Sequence, residues 1–194
     1  MIEDTFGRYV EGMDPFHIES LWRKVYGSGF THRPDVSLMG VLSGIEIALW
    51  DIIGKSVGKP IYELIGGRVH EKLRSYTYIY PDPAKGQDSS IFWNAEQSAE
   101  RAAEYVRQGF TAVKFDPAAP YSAFDPRQPS LESIDLCVKF CKLIREAVGS
   151  KADLLFGTHG QFTPSGAIRF AKKIEPFDPL WFEDPTPPEK PEEM

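Results

Sequence analysis

The sequence has few cysteines and no excess of basic charge. Two of its 194 residues are cysteine, which is too few for a disulfide framework. The formal net charge is −6, and no run of lysine and arginine is longer than the pairs Arg23-Lys24 and Lys172-Lys173. Nucleic acid and anionic membranes are therefore not expected as partners, whereas a small acidic substrate needs only a few cations in one pocket.

Long apolar runs are also lacking. No stretch approaches the roughly eighteen consecutive apolar residues of a membrane helix. The opening residues, Met1-Ile2-Glu3-Asp4, lack the apolar region of a signal peptide. With 42% hydrophobic and 26% charged residues, the composition is typical of a globular protein with a core. We therefore expect a cytoplasmic protein.

The first third of the chain predicts three helical segments. Asp14 and Pro15 are typical of a helix start, with a cap followed by proline at the first helical position. Further along, apolar residues recur at helical spacing as far as a break at Gly58-Lys59-Pro60. The predicted helices cover about 14–27, about 37–54 and a short turn that ends at Gly66-Gly67.

The rest of the chain alternates between strand and helix patterns. Short segments rich in aromatic and β-branched residues are separated by segments of helical periodicity. The predicted strands are about 73–80, 111–115, 154–156 and 180–182, and the predicted helices are about 95–108, 131–148 and 164–174. This order indicates an α/β fold with parallel strands joined by helical crossovers.

A doubly wound sheet and a (β/α)8 barrel both fit this alternation. Polar residues follow separate strands, namely Lys114 with Asp116, then His159, then Glu183. No glycine-rich phosphate-binding pattern follows the first strand, as a dinucleotide-binding sheet would require. Polar groups from several strand ends that meet at one rim favour the barrel.

Four motifs lie along the chain in a familiar order. They are the segment 41–67, which begins VLSGIEIALWDIIGK, then KFD at 114–116, GTHGQ at 157–161 and WFEDP at 181–185. Together they resemble the mandelate racemase / muconate lactonizing enzyme family of the enolase superfamily, and within it most closely the acid-sugar dehydratases. The resemblance covers nearly the whole chain.

The resemblance implies a partial (β/α)8 barrel. Residues 1–70 would form the helical C-terminal portion of an α+β capping domain, and residues 71–194 would form the first half of the barrel, about four β/α units. A complete barrel typically needs about 250 residues. We therefore expect a partial chain that is inactive in isolation. The chain would be a truncated reading frame, a fragment or one part of a larger assembly, and a homo-oligomer is expected.

The same resemblance implies a reaction. Enzymes of this kind bind Mg²⁺ at the C-terminal rim, remove the proton next to a carboxylate and stabilise the resulting enediolate on the metal. Dehydratases then expel a neighbouring hydroxyl as water. The full-length enzyme would thus carry out Mg²⁺-dependent dehydration of a sugar acid. An epimerase or racemase of the superfamily, or a non-catalytic half-barrel, remains an alternative.

Residue by residue, the resemblance marks Glu183 as a metal ligand and His159 as an acid/base group or further rim ligand. Lys114 and Asp116 lie at the family's Lys-x-Lys base motif, with aspartate in place of the second lysine, which disfavours racemases that need that lysine. Lys114 is expected to bind the substrate carboxylate and Asp116 to contact hydroxyls. The structural alternatives are a salt bridge at Glu183, a non-catalytic role for His159, and an inward Lys114–Asp116 ion pair.

One position departs from the family pattern. Gly157 stands where the family places its first acidic metal ligand, so Mg²⁺ binding by this chain is in question. Asp153 lies four strand residues away, about 13 Å at ~3.3 Å per residue, and does not replace it.

Two further sets of residues have simpler explanations. Cys137 and Cys141 are expected on the buried face of one helix, with a metal pair as the alternative, and His17, His32 and His70 are expected at the surface.

Overall fold

The computed structural model describes residues 1–28, 35–118, 128–189 and 191–193 of the chain. It divides into two compact units, Met1–Lys72 and Leu73–Met194. His32 and parts of the loops predicted over 27–34 and 117–129 lie outside the described residues. Each unit has its own cluster of buried apolar side chains.

The first unit is helical. Its helices are α1 (Ile2–Thr5), which continues into a π-helical turn over Phe6–Val10, then α2 (Ile18–Tyr26), α3 (Val36–Val57) and α4 (Ile61–Leu64). Leu21 and Val25 of α2 and Leu42 and Leu49 of α3 are the centre of its core. The packing of α2 on α3 therefore defines this unit.

The prediction that the first helix starts at Asp14 is wrong. Asp14 caps a local turn instead, since its carboxylate accepts a hydrogen bond from the Phe16 amide at 2.9 Å and its carbonyl accepts one from the His17 amide at 3.0 Å. Helix α2 begins only at Ile18. A short polar side chain serves a turn and a helix end equally well, so the sequence pattern does not separate the two.

Helix α3 is confirmed and is longer than predicted. Asp35 caps it by accepting a hydrogen bond from the Leu38 amide at 2.9 Å, and Gly58 ends it in the left-handed region at φ 67°. Among the described residues, α3 is also the one helix long and apolar enough to cross a membrane. Glu46 and Asp51 interrupt its apolar run, and length and composition by themselves are weak evidence of a membrane span.

The second unit is a four-stranded parallel sheet with helical crossovers. Its strands are β1 (Thr77–Tyr78), β2 (Ala112–Phe115), β3 (Asp153–Phe156) and β4 (Pro179–Phe182), and its helices are α5 (Ala95–Arg107), α6 (Leu131–Val148) and α7 (Pro164–Ile174). The strands lie in the order β1-β2-β3-β4, and each neighbouring pair is parallel. The predicted α/β class is confirmed, with strands and helices in the order of a barrel's first half.

Strand β1 is much shorter than the predicted 73–80. It pairs with β2 through two residues, Thr77 opposite Val113 and Tyr78 opposite Lys114. Before it, Arg74 reaches across to the Thr111 carbonyl and to Asp153, which it contacts at 2.6 Å. The segment thus attaches to the sheet through a side chain rather than through strand pairing.

The two faces of β2 differ in burial, whereas Leu154 and Leu155, on opposite faces of β3, are both buried. Val113 and Phe115 of β2 and Leu154 and Phe156 of β3 are fully or almost fully buried against the crossover helices. Lys114 lies on the opposite face of β2 and is partly exposed. This arrangement leaves the polar side chains free to meet at the C-terminal ends of the strands.

Candidate active site at the strand ends

The candidate site lies where β2, β3 and β4 end. Gly157 directly follows β3, and its amide donates to the Phe115 carbonyl at 2.9 Å. Glu183 directly follows β4, and its amide donates to the Phe156 carbonyl at 2.9 Å. The ladder therefore continues one step beyond each strand and holds these positions side by side at one edge of the sheet.

Lys114 and Glu183 form an ion pair. The Lys114 ammonium lies 2.5 Å from Glu183 Oε1, and the two side chains are 14% and 27% exposed. Of the structural alternatives considered from the sequence, a salt bridge at Glu183 is therefore present, and its partner is the lysine of β2. The pair joins two strands that are separated in the sheet by β3.

Asp116 connects two further side chains. The Tyr78 hydroxyl donates to Asp116 Oδ1, and His159 Nε2 lies 3.2 Å from Asp116 Oδ2. Asp116 is 15% exposed, whereas His159 is 57% exposed and open to solvent. A shielded carboxylate that contacts one nitrogen of a more exposed imidazole can orient that ring for proton transfer.

Tyr78 is a site residue that the sequence reasoning did not single out. It lies on β1 opposite Lys114, so it belongs to the same rim as the other polar groups. The available signal was its position near the end of the predicted first strand, because polar side chains at the ends of neighbouring parallel strands can reach the same rim. Two other tyrosines in the same segment, Tyr76 and Tyr80, obscured it.

The loops after β3 and β4 are tied together. The Thr158 hydroxyl donates to the Glu183 carbonyl, and the Gly160 amide donates to the Asp184 carbonyl at 2.7 Å. Gly160 is in the left-handed region at φ 71°, which lets the backbone approach the neighbouring loop. Gln161 accepts from the His159 amide at 2.6 Å. These contacts hold the loop that carries His159 next to the loop that carries Glu183.

The described donors do not fit a Mg²⁺ site. Mg²⁺ requires several oxygen ligands in octahedral geometry, but Glu183 is engaged by Lys114 and Gly157 has no side-chain oxygen. Among the described residues, no group of three or more histidine, cysteine, aspartate or glutamate side chains is placed to hold a metal ion. Asp153 is paired with Arg74 at 2.6 Å, at the opposite end of β3 from the site.

The remaining candidate residues have structural roles or lie at the surface. Cys137 and Cys141 are fully buried on α6, where they pack in the core of the second unit. His17 and His70 are exposed, as expected. None of these four residues lies at the strand ends that form the candidate site.

Comparison with known proteins places this chain in a family. Residues 1–66 match the model of the mandelate racemase / muconate lactonizing enzyme N-terminal domain, and residues 97–194 match the enolase C-terminal domain-like model. The chain therefore belongs to the mandelate racemase / muconate lactonizing enzyme family of the enolase superfamily. The resemblance that the motifs indicated is confirmed.

Two curated relatives are named as sugar-acid dehydratases. The D-gluconate/D-galactonate dehydratase of Picrophilus torridus is 34% identical over 94% of this chain and 44% of its own length. The D-galactonate dehydratase of Xanthomonas euvesicatoria pv. vesicatoria is 33% identical over 92% of this chain and 42% of its own length. The chain thus spans less than half the length of these curated relatives.

Solved structures agree with the fold. A mandelate racemase/muconate lactonizing enzyme from Sulfitobacter sp. is 52% identical with a TM-score of 0.92, over 99% of this chain and 48% of its own. A member of the enolase superfamily from Salmonella Typhimurium is 28% identical with a TM-score of 0.87, over 99% of this chain and 51% of its own. The chain thus spans about half the length of these two solved structures.

Proposed function

We propose that the protein to which this chain belongs dehydrates a sugar acid by removing the proton next to the carboxylate and expelling a neighbouring hydroxyl as water. The observation that carries this proposal is the shielded Asp116 in contact with His159, beside the Lys114 ammonium at the same rim. The names of the curated relatives support the substrate class, since they are dehydratases of D-galactonate and D-gluconate.

Lys114 and His159 have separate roles in this proposal. The Lys114 ammonium binds the substrate carboxylate, and Glu183 keeps that ammonium at the rim through the 2.5 Å ion pair. His159 takes the proton next to the carboxylate and gives it to the departing hydroxyl, so that the carbon–oxygen bond breaks, the double bond forms and water leaves. General acid catalysis of this kind typically contributes about 10²- to 10⁴-fold.

Asp116 and Tyr78 support His159. Asp116 contacts His159 Nε2 and so orients the imidazole ring. The Tyr78 hydroxyl bonds the second carboxylate oxygen and so fixes the plane of Asp116. Asp116 is thus a positioning residue for the imidazole. The magnesium implied by the family has no complete donor set among the described residues, and none of these roles depends on it.

An epimerase or racemase of the same family is the second candidate. It is disfavoured by Asp116, which stands where such enzymes in the family carry the second lysine of the base motif. The two reactions differ in product, because dehydration gives a 2-oxo-3-deoxy acid and epimerisation returns an isomer of the substrate. A non-catalytic half-barrel would give neither product.

The test is a chimera that joins this chain to the rest of the 52% identical Sulfitobacter protein. With D-galactonate or D-gluconate we expect a 2-oxo-3-deoxy acid, and we expect the chain by itself to give none. His159→Asn in the chimera is expected to lower kcat by about 10²- to 10⁴-fold. His70→Asn, at an exposed histidine, is the matched control and is expected to have no effect. Formation of an epimer, or full activity in His159→Asn, would contradict the proposal.

A further inference from the structure

The Lys114 side chain crosses β3 to reach its partner. Lys114 is on β2 and Glu183 follows β4, while β3 lies between them in the sheet. The residue at the crossing point is Gly157, whose amide donates a hydrogen bond to the Phe115 carbonyl at 2.9 Å. The ion pair therefore spans the width of one whole strand.

Gly157 provides the space for this crossing. A Cβ atom at position 157 would lie 3.0 Å from Lys114 Cε and 3.1 Å from Asp116 Cβ, both closer than ordinary van der Waals contact. The Lys114 chain thus lies directly over the glycine. An acidic residue at this position, as the family pattern has, would meet the lysine before it could contribute an oxygen to a metal.

The ion pair also changes what Glu183 can bind. An ammonium 2.5 Å from Oε1 offsets the negative charge of the carboxylate and occupies one of the two oxygens that could bind a metal ion. The two side chains are largely shielded, at 14% and 27% exposure, so solvent weakens their attraction less than at an open surface. Ion pairs that contribute little to stability are typically much more exposed to solvent than this one.

We propose that the Lys114 ammonium is the resident cation of Glu183 in this protein, that Gly157 is the residue that admits it, and that Lys114 and a divalent metal ion compete for the same carboxylate. Gly157 and Lys114 together then determine whether Glu183 binds an ammonium group or a divalent metal ion. Position 157 lacks an acidic side chain, and the space that this leaves is the space through which Lys114 reaches Glu183.

Calorimetric titration with Mg²⁺ alone tests the competition. Lys114→Met removes the ammonium and keeps the length of the side chain, so Mg²⁺ affinity is expected to rise by about tenfold or more as the charge repulsion is lost. Adding Glu183→Gln to that variant is expected to abolish the gain. The matched control is Lys85→Met, which breaks a lysine–glutamate pair with Glu104 elsewhere in the same unit and is expected to leave Mg²⁺ affinity unchanged.

The outcomes separate the proposal from its rivals. Unchanged or weaker Mg²⁺ binding in Lys114→Met would overturn it, as would a gain that persists after Glu183→Gln. The readout is binding, so failure of the proposed dehydration would leave this result standing, and the reverse also holds.

A second measurement does not depend on the folding of the Lys114→Met variant. Acetylation of the unmodified chain by a succinimidyl ester, followed by peptide mass spectrometry, is expected to show Lys114 protected relative to the exposed Lys142. Glu183→Gln is expected to raise the rate of Lys114 acetylation toward that of Lys142. Equal rates at the two lysines in the unmodified chain would overturn the proposal.

Discussion

Arg145 binds four backbone carbonyl oxygens at once. Its guanidinium donates to Gly149 at 2.8 Å, Ala152 at 2.9 Å, Asp178 at 3.0 Å and Phe177 at 3.1 Å. These carbonyls belong to the turn before β3 and to the turn before β4. A planar fork of five donors suits such a set, whereas a single ammonium does not.

This geometry predicts that Arg145→Lys is not a conservative change. We expect it to lower the free energy of unfolding by about 2 kcal/mol, because four carbonyls, two of them in part-buried contacts, lose a charged donor. Urea denaturation followed by circular dichroism measures this, with Lys142→Met on the exposed side of the same helix as the control. A loss within about 0.5 kcal/mol, the range of ordinary surface changes, would contradict the prediction.

The sequence predicted which residues lie at the rim but not how they pair. Lys114, Asp116, His159 and Glu183 all come to the ends of parallel strands, as their spacing from those strands requires. Their contacts depend on strand order and on the free space over Gly157, which are set by packing rather than by spacing. The lysine of β2 meets a glutamate 69 residues away, and no local pattern predicts that pairing.

At the scale of the element, α6 keeps both cysteines away from solvent. Cys137 and Cys141 are four residues apart on its buried face, as predicted from helical periodicity. Burial raises the pKa of both thiols, that of Cys141 from 9.0 to about 12. Since the thiolate is the reactive form, native thiols this deeply buried are expected to be inert.

We therefore predict that neither thiol reacts with a disulfide reagent at pH 8 until the chain is unfolded in urea. A thiol pKa raised by folding stabilises the native state fully below pH 9, and that contribution is lost as the pH rises toward 12, because the unfolded chain releases the protons first. Absorbance of the released reagent anion, with and without urea, measures reactivity. Rapid labelling of the native chain would contradict this prediction.

Element bounds were predictable where caps and periodicity agree. Helix α7 begins at Pro164 behind the Thr163 cap and ends at Ile174, as the sequence indicates. The start of α2 and the length of β1 were not predictable in the same way. At Asp14 a turn competes for the same cap, and the segment before Thr77 follows a side-chain contact of Arg74 instead of a strand ladder.

At the scale of the whole molecule, the sheet has two open edges. Among the described residues, β1 pairs with β2 alone and β4 pairs with β3 alone. Leu180 on β4 is 55% exposed, so apolar surface accompanies the unpaired backbone groups of that edge. An edge of this kind is a template for pairing with another chain.

We therefore predict that the chain associates with itself through the edge of β4. Sedimentation velocity at increasing protein concentration is expected to show growth of larger species. Leu180→Lys is expected to reduce it, because a charge on an edge strand opposes pairing. Ile168→Lys is the matched control, since this α7 side chain is also 55% exposed but has no open backbone beside it. A monodisperse monomer at high concentration, or equal effects of the two variants, would show that the open edge does not drive association.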